Sequence, residues 1–157
     1  MAGIPVQLYV YDLTRGMAAQ FSPMLLGTHV EGVWHTGLVV GKTEFYFSAG
    51  IQRAPAGTTP FGVPTKVLPL GHTELPMEIL EDYLEDIQPR FTPATYHLLH
   101  HNCNHFTHEL ASFLLGTGIP VDIVRQHERI LNSPLGPLIR PMLEQLENVL
   151  GGVSSQN

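Results

Sequence analysis

Residues 100–115 read HHNCNHFTHELASFLL, and they carry the strongest helix signal in the chain. The apolar residues of this stretch recur at the spacing of one helix face: Phe106, Leu110, Phe113 and Leu114. This pattern predicts a helix over Asn104–Leu115, which Gly116 and Gly118 then end. The chain's only cysteine, Cys103, stands directly before the helix. A thiol is therefore expected at a helix N-terminus.

A cysteine in this place has the surroundings of a nucleophile. Asn102 or Asn104 can cap the helix, and the positive end of the helix dipole favours a thiolate. The first-turn amides, beginning with the backbone N–H of Cys103, could hold an oxyanion, and the side chain of Asn102 or Asn104 could add a donor. A buried cysteine that packs as a small hydrophobe is the alternative. The residues alone leave both readings open.

A nucleophilic cysteine needs a base, and nine histidines compete for that role. His35 begins an apolar, β-prone run after Gly32-Val33-Trp34, so we expect it at the end of a rigid strand. A two-residue turn at Gly41-Lys42 would place Ser48 opposite His35, where its hydroxyl could orient the imidazole. A structural strand histidine is the alternative, and the pattern alone favours His35 over the other histidines only weakly.

A metal site is the competing interpretation of this region. Six potential ligands lie close together: His97, His100, His101, Cys103, His105 and His108. The chain has no CxxC pair, no HExxH motif and no second ligand cluster at a finger-like spacing. Solvent-facing histidines explain the extra residues better, so neither a metal nor any other cofactor is expected.

The rest of the chain alternates short strands with amphipathic helices. Predicted strands are Val6–Leu13, His35–Val40, Glu44–Ser48, Thr65–Leu70 and, on an ambiguous pattern, Thr95–His100. Predicted helical segments are one turn at Met24–Gly27, Pro76–Ile87, a shorter helix within Pro120–Leu131, and a C-terminal helix opened by Ser133-Pro134 that Pro141 kinks or delays. Gly50–Pro64 is predicted to be a loop.

Composition limits the classes of function. A chain of 157 residues fits one domain, taken as 1–150, with a disordered tail over 151–157. The net charge of -6 argues against non-specific nucleic-acid binding. A single cysteine allows no intramolecular disulfide and suits a reducing compartment, the cytoplasm or the nucleus. No apolar run approaches the length of a membrane span.

Several segments together resemble the PPPDE superfamily of cysteine peptidases, close to the type-one branch of the desumoylating isopeptidases. They are residues 6–13 (VQLYVYDL), 26–40 (LGTHVEGVWHTGLVV), 44–50 (EFYFSAG), 101–106 (HNCNHF) and 132–140 (NSPLGPLIR). The resemblance implies a circularly permuted papain-like α+β fold, with a small antiparallel sheet packed with helices. It also implies a dyad of Cys103 and His35, and a homodimer with the catalytic groove near its interface.

The resemblance makes removal of SUMO, or of a related ubiquitin-like modifier, from substrate lysines the leading hypothesis. Trp34 could wall the narrow cleft that a Gly-Gly tail requires, although core packing explains it equally well. A deubiquitinase or a protein S-acyl thioesterase could use the same dyad. The thioesterase needs an apolar groove, for which the candidates are Phe45, Phe47, Phe61 and Met24. A non-enzymatic binding module is a further alternative.

Overall fold

The computed structural model describes residues 3–26, 30–133 and 136–150, and these form an α+β fold. The strands are β1 Ile4–Asp12, β2 Trp34–Val40, β3 Thr43–Ser48, β4 Gly50–Pro55 and β5 Lys66–Thr73. They form one antiparallel sheet in the order β4-β3-β2-β1-β5. The helices are α1 Met17–Leu26, α2 Met77–Ile87, α3 Cys103–Leu115, α4 Val121–Val124, α5 Gln126–Leu131 and α6 Gly136–Leu150. The predicted fold class is confirmed, with Cys103 as the first residue of α3.

Two hydrophobic clusters cover the sheet, because the strands bury alternate residues on opposite faces. One cluster joins the sheet to α2 and α3 and includes Leu8, Leu38, Phe45, Leu84 and Leu110. The other includes Tyr11, Tyr46, Phe61, Leu131 and Leu143. Strand β2 is buried along its whole length, so both faces of the strand that carries His35 lie inside the molecule.

The predicted hairpin forms with the expected register. Val40 pairs with Thr43 across the two-residue turn at Gly41-Lys42. Gly41 has a φ of 66°, a left-handed conformation that glycine adopts without strain. The predicted strand Val6–Leu13 is β1, and the predicted strand Thr65–Leu70 is the first part of β5.

Two predictions about the strands were wrong. The predicted loop Gly50–Pro64 contains β4, which pairs with β3 from Thr43↔Pro55 to Ser48↔Gly50. Its residues lack apolar alternation, so the pairing depends on the neighbouring strand rather than on the local pattern. The predicted strand Thr95–His100 is a turn with one bridge, between His97 and His101. The ring Nδ1 of His97 accepts the backbone N–H groups of residues 99 and 100 and so stabilises that turn.

The helices begin and end differently from the sequence prediction in three places. Helix α1 starts at Met17, well before the predicted turn, because Thr14 Oγ1 accepts the N–H of Ala18 at 3.0 Å and caps it. The predicted helix within Pro120–Leu131 is two short helices, α4 and α5. Helix α6 continues through Pro141.

The predicted helix Pro76–Ile87 is confirmed as α2. Gly27 and Pro134, which entered two of these predictions, and the predicted tail at 151–157 lie outside the described residues. Within the described ranges, no helix has the length and apolarity needed to cross a membrane.

Candidate active site

Cys103 begins α3 at an N-terminus that two side chains cap reciprocally. Asn102 Oδ1 accepts the backbone N–H groups of Asn104 at 2.8 Å and of His105 at 3.3 Å. In return, His105 Nδ1 accepts the N–H of Asn102 at 3.1 Å. This capping box fixes the first turn of the helix, so the position of the fully buried Cys103 is set by its neighbours on both sides.

Asn104 joins the start of α3 to the strand that carries His35. Its Nδ2 donates to the carbonyl of Trp34 at 3.0 Å, and its Oδ1 accepts the hydroxyl of Thr36 at 2.7 Å. Trp34 and Thr36 are the two residues on either side of His35. The residue that follows the cysteine therefore binds both residues that flank the histidine. Asn104 Oδ1 also accepts the thiol of Cys103 at 3.6 Å.

Helix α5 supplies a second connection between the same elements. The buried His127 contacts Asn102 Nδ2 with its Nδ1 at 3.3 Å and the carbonyl of Trp34 with its Nε2 at 3.1 Å. Because the carbonyl only accepts, Nε2 carries the proton and Nδ1 accepts from Asn102. Burial lowers the pKa of His127 to about 4, so this imidazole is neutral near pH 7.

The neighbouring residue strengthens this connection. Gln126 Oε1 accepts the N–H of Trp34 and Gln126 Nε2 donates to the carbonyl of Gly32, both at 2.8 Å. The Gln126 amide thus satisfies two backbone groups at the start of β2, as a neighbouring strand would. The backbone next to His35 is therefore held from α3 and from α5.

The imidazole of His35 is enclosed by aromatic rings. Phe61 stacks on it with ring centroids 3.5 Å apart and an interplanar angle of 13°. Tyr46 meets it edge-on at 5.9 Å, and Tyr11 is tilted against it at 5.6 Å. Neither ring nitrogen has a hydrogen-bond partner among the residues that the structure describes. Burial, and secondarily the charge that His127 would carry, lower the pKa of His35 to about 3, so the imidazole is neutral.

A buried carboxyl holds the loop that carries Phe61. Glu44 Oε2 accepts the hydroxyl of Tyr11 at 2.6 Å, and Glu44 Oε1 accepts the N–H of Gly57 at 3.0 Å. Burial raises the pKa of Glu44, and burial next to this carboxyl raises the pKa of Tyr11. Gly37 leaves the room for Glu44, because a Cβ there would lie 2.3 Å from Glu44 Oε2.

Trp34 is a buried core residue of the α3 side of the sheet. Its side chain belongs to the core cluster, with Lys66 Nζ 5.0 Å from the ring centroid. A Cβ at Gly32 would lie 2.5 Å from Trp34 Cζ3, so the preceding loop must approach the ring without a side chain. Core packing thus explains why the Trp34 ring is buried. Its role in a substrate groove stays a prediction.

Ser48 is buried at the end of β3, at the same end of the sheet as His35. The β2–β3 ladder runs from Val40↔Thr43 to Leu38↔Phe45, and Ser48 is paired with Gly50 of β4. Continuing the ladder would bring position 48 opposite position 35. The proposed orientation of His35 by the Ser48 hydroxyl stays a prediction.

The side chains of both candidate oxyanion asparagines have other partners. Asn102 Nδ2 donates to the carbonyl of Leu98 at 2.7 Å, and Asn104 Nδ2 donates to that of Trp34. An oxyanion role for either side chain stays a prediction, and it would require these bonds to open. The backbone N–H of Cys103, at the positive end of α3, needs no such change to serve as a donor.

The aromatic residues nominated for an apolar groove do not share one surface. Phe45 and Phe47 belong to the cluster under α2 and α3, whereas Phe61 belongs to the opposite cluster. Met24 is 76% exposed. The thioesterase alternative therefore gains no support from these four side chains.

The described part of the chain contains no group of three His, Cys, Asp or Glu side chains placed to hold a metal ion. Several nearby histidines bond to backbone groups instead: His101 Nδ1 lies 3.0 Å from the carbonyl of Thr95, and His108 Nδ1 accepts the N–H of Ile119.

Three residues that shape this site were not predicted from the sequence: His127, Gln126 and Glu44. Phe61 was predicted only as a candidate for an apolar groove, and its contact with His35 was not expected. Glu44 offered a signal, since a charged residue interrupts an apolar strand. His127 and Gln126 lie in a polar stretch (RQHER) that resembles an exposed helix face. Their contacts cross more than 90 residues of chain, and no local pattern encodes such a distance.

The fold and this site define a peptidase family. Residues 4–144 match the PPPDE putative peptidase domain, and the chain belongs to that family. It is 43% identical over 153 residues to desumoylating isopeptidase 1 of Homo sapiens, covering 96% of this chain and 91% of that protein. The same protein of Xenopus laevis is 42% identical over 144 residues, covering 90% and 85%. A DeSI-like protein, sdu1 of Schizosaccharomyces pombe, is 31% identical over 125 residues, covering 73% and 60%.

Proposed function

We propose that this protein is a cysteine isopeptidase that removes SUMO from substrate lysines, with Cys103 as nucleophile and His35 as base. The observation that carries the assignment of residues is the bridge made by Asn104, which bonds to Trp34 and Thr36 beside the histidine and accepts the thiol of the cysteine. The relatives named desumoylating isopeptidase 1 support the substrate class.

The proposed reaction begins with transfer of the thiol proton to a ring nitrogen of His35. Cys103 Sγ attacks the carbonyl carbon of the isopeptide bond, and the carbonyl oxygen becomes an oxyanion facing the N–H of Cys103. The C–N bond then breaks, and His35 gives its proton to the departing lysine amine. A water molecule, deprotonated by His35, attacks the thioester and releases the modifier with a free carboxylate.

The protonation state of His35 suits this order of events. A pKa lowered to about 3 leaves the imidazole neutral but a weak base in the closed structure, so it accepts the thiol proton only when substrate or water opens its surroundings. In the closed structure, burial disfavours an imidazolium, so a standing thiolate–imidazolium pair would be costly. We therefore assign proton transfer to the moment of attack rather than to the resting enzyme.

The narrow surroundings of His35 favour a substrate chain without side chains. Phe61 covers one face of the ring at 3.5 Å, and Tyr46 meets its edge. A chain approaching the imidazole must displace Phe61 or pass beside it, and glycine takes the least room. A C-terminal Gly-Gly tail next to the scissile bond satisfies this requirement.

Turnover of isopeptide substrates tests the proposal. Fluorescent SUMO–lysine and ubiquitin–lysine conjugates and an acyl-thioester peptide would be compared with the parent, C103A and H35A proteins. H100A is a matched control, because His100 is an exposed histidine in the same chain. We expect SUMO–lysine cleavage by the parent and H100A, and a loss of at least about a hundredfold in C103A and H35A. Equal activity in all four proteins would contradict the dyad. Preferential cleavage of the ubiquitin conjugate or the thioester would overturn the assignment of SUMO conjugates as the substrate.

We also propose a homodimer that acts in the cytoplasm and the nucleus and does not bind nucleic acid. Support comes from the family resemblance, the single cysteine and the net charge of -6. Light scattering at micromolar concentration would test the dimer, and a monomer mass would contradict it. Imaging of a tagged chain would test the location, and exclusion from either compartment would contradict it.

A further inference from the structure

The side-chain amide of Asn104 has one allowed orientation. One end faces the backbone carbonyls of Trp34 at 3.0 Å and Ile123 at 3.5 Å. Carbonyl oxygens only accept hydrogen bonds, so this end must be the Nδ2 group. The other end is then Oδ1, and it faces the Thr36 hydroxyl at 2.7 Å and the Cys103 sulfur at 3.6 Å.

An amide oxygen facing a thiol has a definite chemical consequence. Oδ1 can accept a hydrogen bond from S–H, but it has no proton to give to a thiolate. The contact therefore stabilises the protonated cysteine and opposes its ionisation. Asn104 and Cys103 are both fully buried, which strengthens this preference because water cannot replace the lost bond.

We propose that Asn104 is a further catalytic residue of this reaction: its Oδ1 holds the Cys103 thiol protonated at rest, while its Nδ2 fixes the strand that carries His35. This inference rests on the proposed function, since it assigns a role within the Cys103–His35 reaction. It differs from an oxyanion role, in which the amide would donate to the substrate.

The proposed step conserves atoms and charge. At rest, the thiol proton lies toward Asn104 Oδ1. When substrate binds, the side chain of Cys103 rotates away from Oδ1, the S–H bond breaks and an N–H bond forms on His35. The electron pair left on sulfur attacks the substrate carbonyl. Asn104 keeps its bonds to Trp34 and Thr36 throughout, so the histidine does not shift as the thiol turns.

Thiolate titration tests the proposal without depending on turnover. Cys103 is the chain's only cysteine, so the ultraviolet absorbance of the thiolate, with the titration of C103A subtracted, reports on this residue alone. N104A removes the acceptor that Oδ1 provides, and we expect the thiolate fraction near pH 7 to rise about fivefold, the value of one net hydrogen bond. N104D places a negative charge beside the sulfur, and we expect that fraction to fall about tenfold.

A matched control separates this role from a structural one. Thr107 Oγ1 donates to the carbonyls of Thr36 at 3.3 Å and Cys103 at 3.0 Å, so T107V weakens the same junction and leaves the amide of Asn104 in place. We expect T107V to lower the melting temperature with the midpoint of thiolate formation unchanged.

The proposal is supported if the midpoint of thiolate formation falls in N104A, rises in N104D and does not move in T107V. Midpoints unmoved in both Asn104 variants, or moved equally in T107V, overturn it. If N104A does not fold, as judged by circular dichroism, N104L decides instead, because leucine has nearly the shape of asparagine and no acceptor: a lower midpoint supports the proposal and an unchanged one overturns it. Failure of the proposed function is separate, because it appears as absent SUMO–lysine cleavage in the parent protein whatever the titration shows.

Discussion

At the residue scale, the enclosure of His35 is the most unusual feature of the site. Buried polar atoms normally find partners, and both ring nitrogens of His35 lack one among the described residues. Stacking on Phe61 compensates part of this cost through aromatic contact. Burial opposes the charged form of this base, so His35 accepts a proton only after substrate or water reaches the ring.

Removing the Phe61 ring should expose His35. F61A is expected to lower the free energy of unfolding by about 3 kcal/mol and to accelerate modification of His35 by diethyl pyrocarbonate at least about fivefold. F61L, which keeps most of the volume, serves as the control and should show a smaller change in both. Peptide mapping by mass spectrometry distinguishes His35 from the other histidines. An unchanged rate at His35 in F61A would show that Phe61 does not cover the base.

Glu44 should behave as a buried acid that resists ionisation. Its folded-state pKa is raised, so its contribution to stability is present below the unfolded value of about 4.3 and is lost as pH rises through the folded value. Glutamine has nearly the same shape and does not ionise, so E44Q avoids this pH-dependent loss of stability. We expect E44Q to gain about 1 kcal/mol relative to the parent between pH 4 and pH 8, measured by urea unfolding. A difference independent of pH would mean that Glu44 is ionised at little cost.

At the element scale, α3, α5 and β2 meet at the carbonyl of Trp34. Asn104 and His127 both contact this oxygen, and Gln126 accepts the N–H of the same residue. The site is therefore assembled from elements distant in sequence. Helices as short as α3 and α5 would be marginally stable alone, so these contacts and the core packing must stabilise them.

Paired substitutions at His127 should separate its two contacts. H127N can keep an acceptor near Asn102, and H127Q can keep a donor near the carbonyl of Trp34. Each is expected to cost about 1–3 kcal/mol, with a larger fall in kcat than change in KM for SUMO–lysine cleavage. L131A, in the same helix, is a control that should lower stability by a similar amount with kcat retained. If L131A loses as much kcat as the His127 variants, His127 contributes only through packing.

The sequence predicted those helices and turns whose determining residues lie close together in the chain. The hairpin at Gly41-Lys42 and the helix after Cys103 were expected because turn chemistry and an apolar stripe lie within a few residues. Strand β4 was missed because its pairing with β3, and not its own composition, makes it a strand. A cap was predicted at Asn102 or Asn104, and it forms at Asn102. The contacts of His127 join parts of the chain that only the tertiary fold brings together.

At the scale of the whole molecule, two buried neutral histidines connect stability to pH. Burial lowers the pKa of His35 to about 3 and that of His127 to about 4, against about 6.5 in an unfolded chain. The unfolded state therefore binds more protons as the pH falls below about 6.5. Stability from both groups is present above that pH and is lost as the pH falls toward their folded values.

Acid should accordingly destabilise the protein well above the range in which ordinary carboxylates titrate. We expect the free energy of unfolding to fall between about pH 6.5 and pH 4, by up to about 1.4 kcal/mol per pH unit for each histidine. H127Q should show roughly half of this slope. Denaturant titrations at several pH values would measure it. A stability that is flat over this window in E44Q, which removes the opposing titration of Glu44, would show that neither histidine is held neutral by the fold.

Covalent trapping of Cys103 is the sharpest test of the dyad formed by Cys103 and His35. The parent, H35A and H100A proteins would each be incubated with a SUMO propargylamide probe, and the modified residue mapped by mass spectrometry. We expect a SUMO adduct on Cys103 in the parent and H100A proteins, with adduct formation in H35A slowed at least about a hundredfold. An adduct that forms equally fast in H35A, or no adduct on Cys103 in the folded parent, would contradict it.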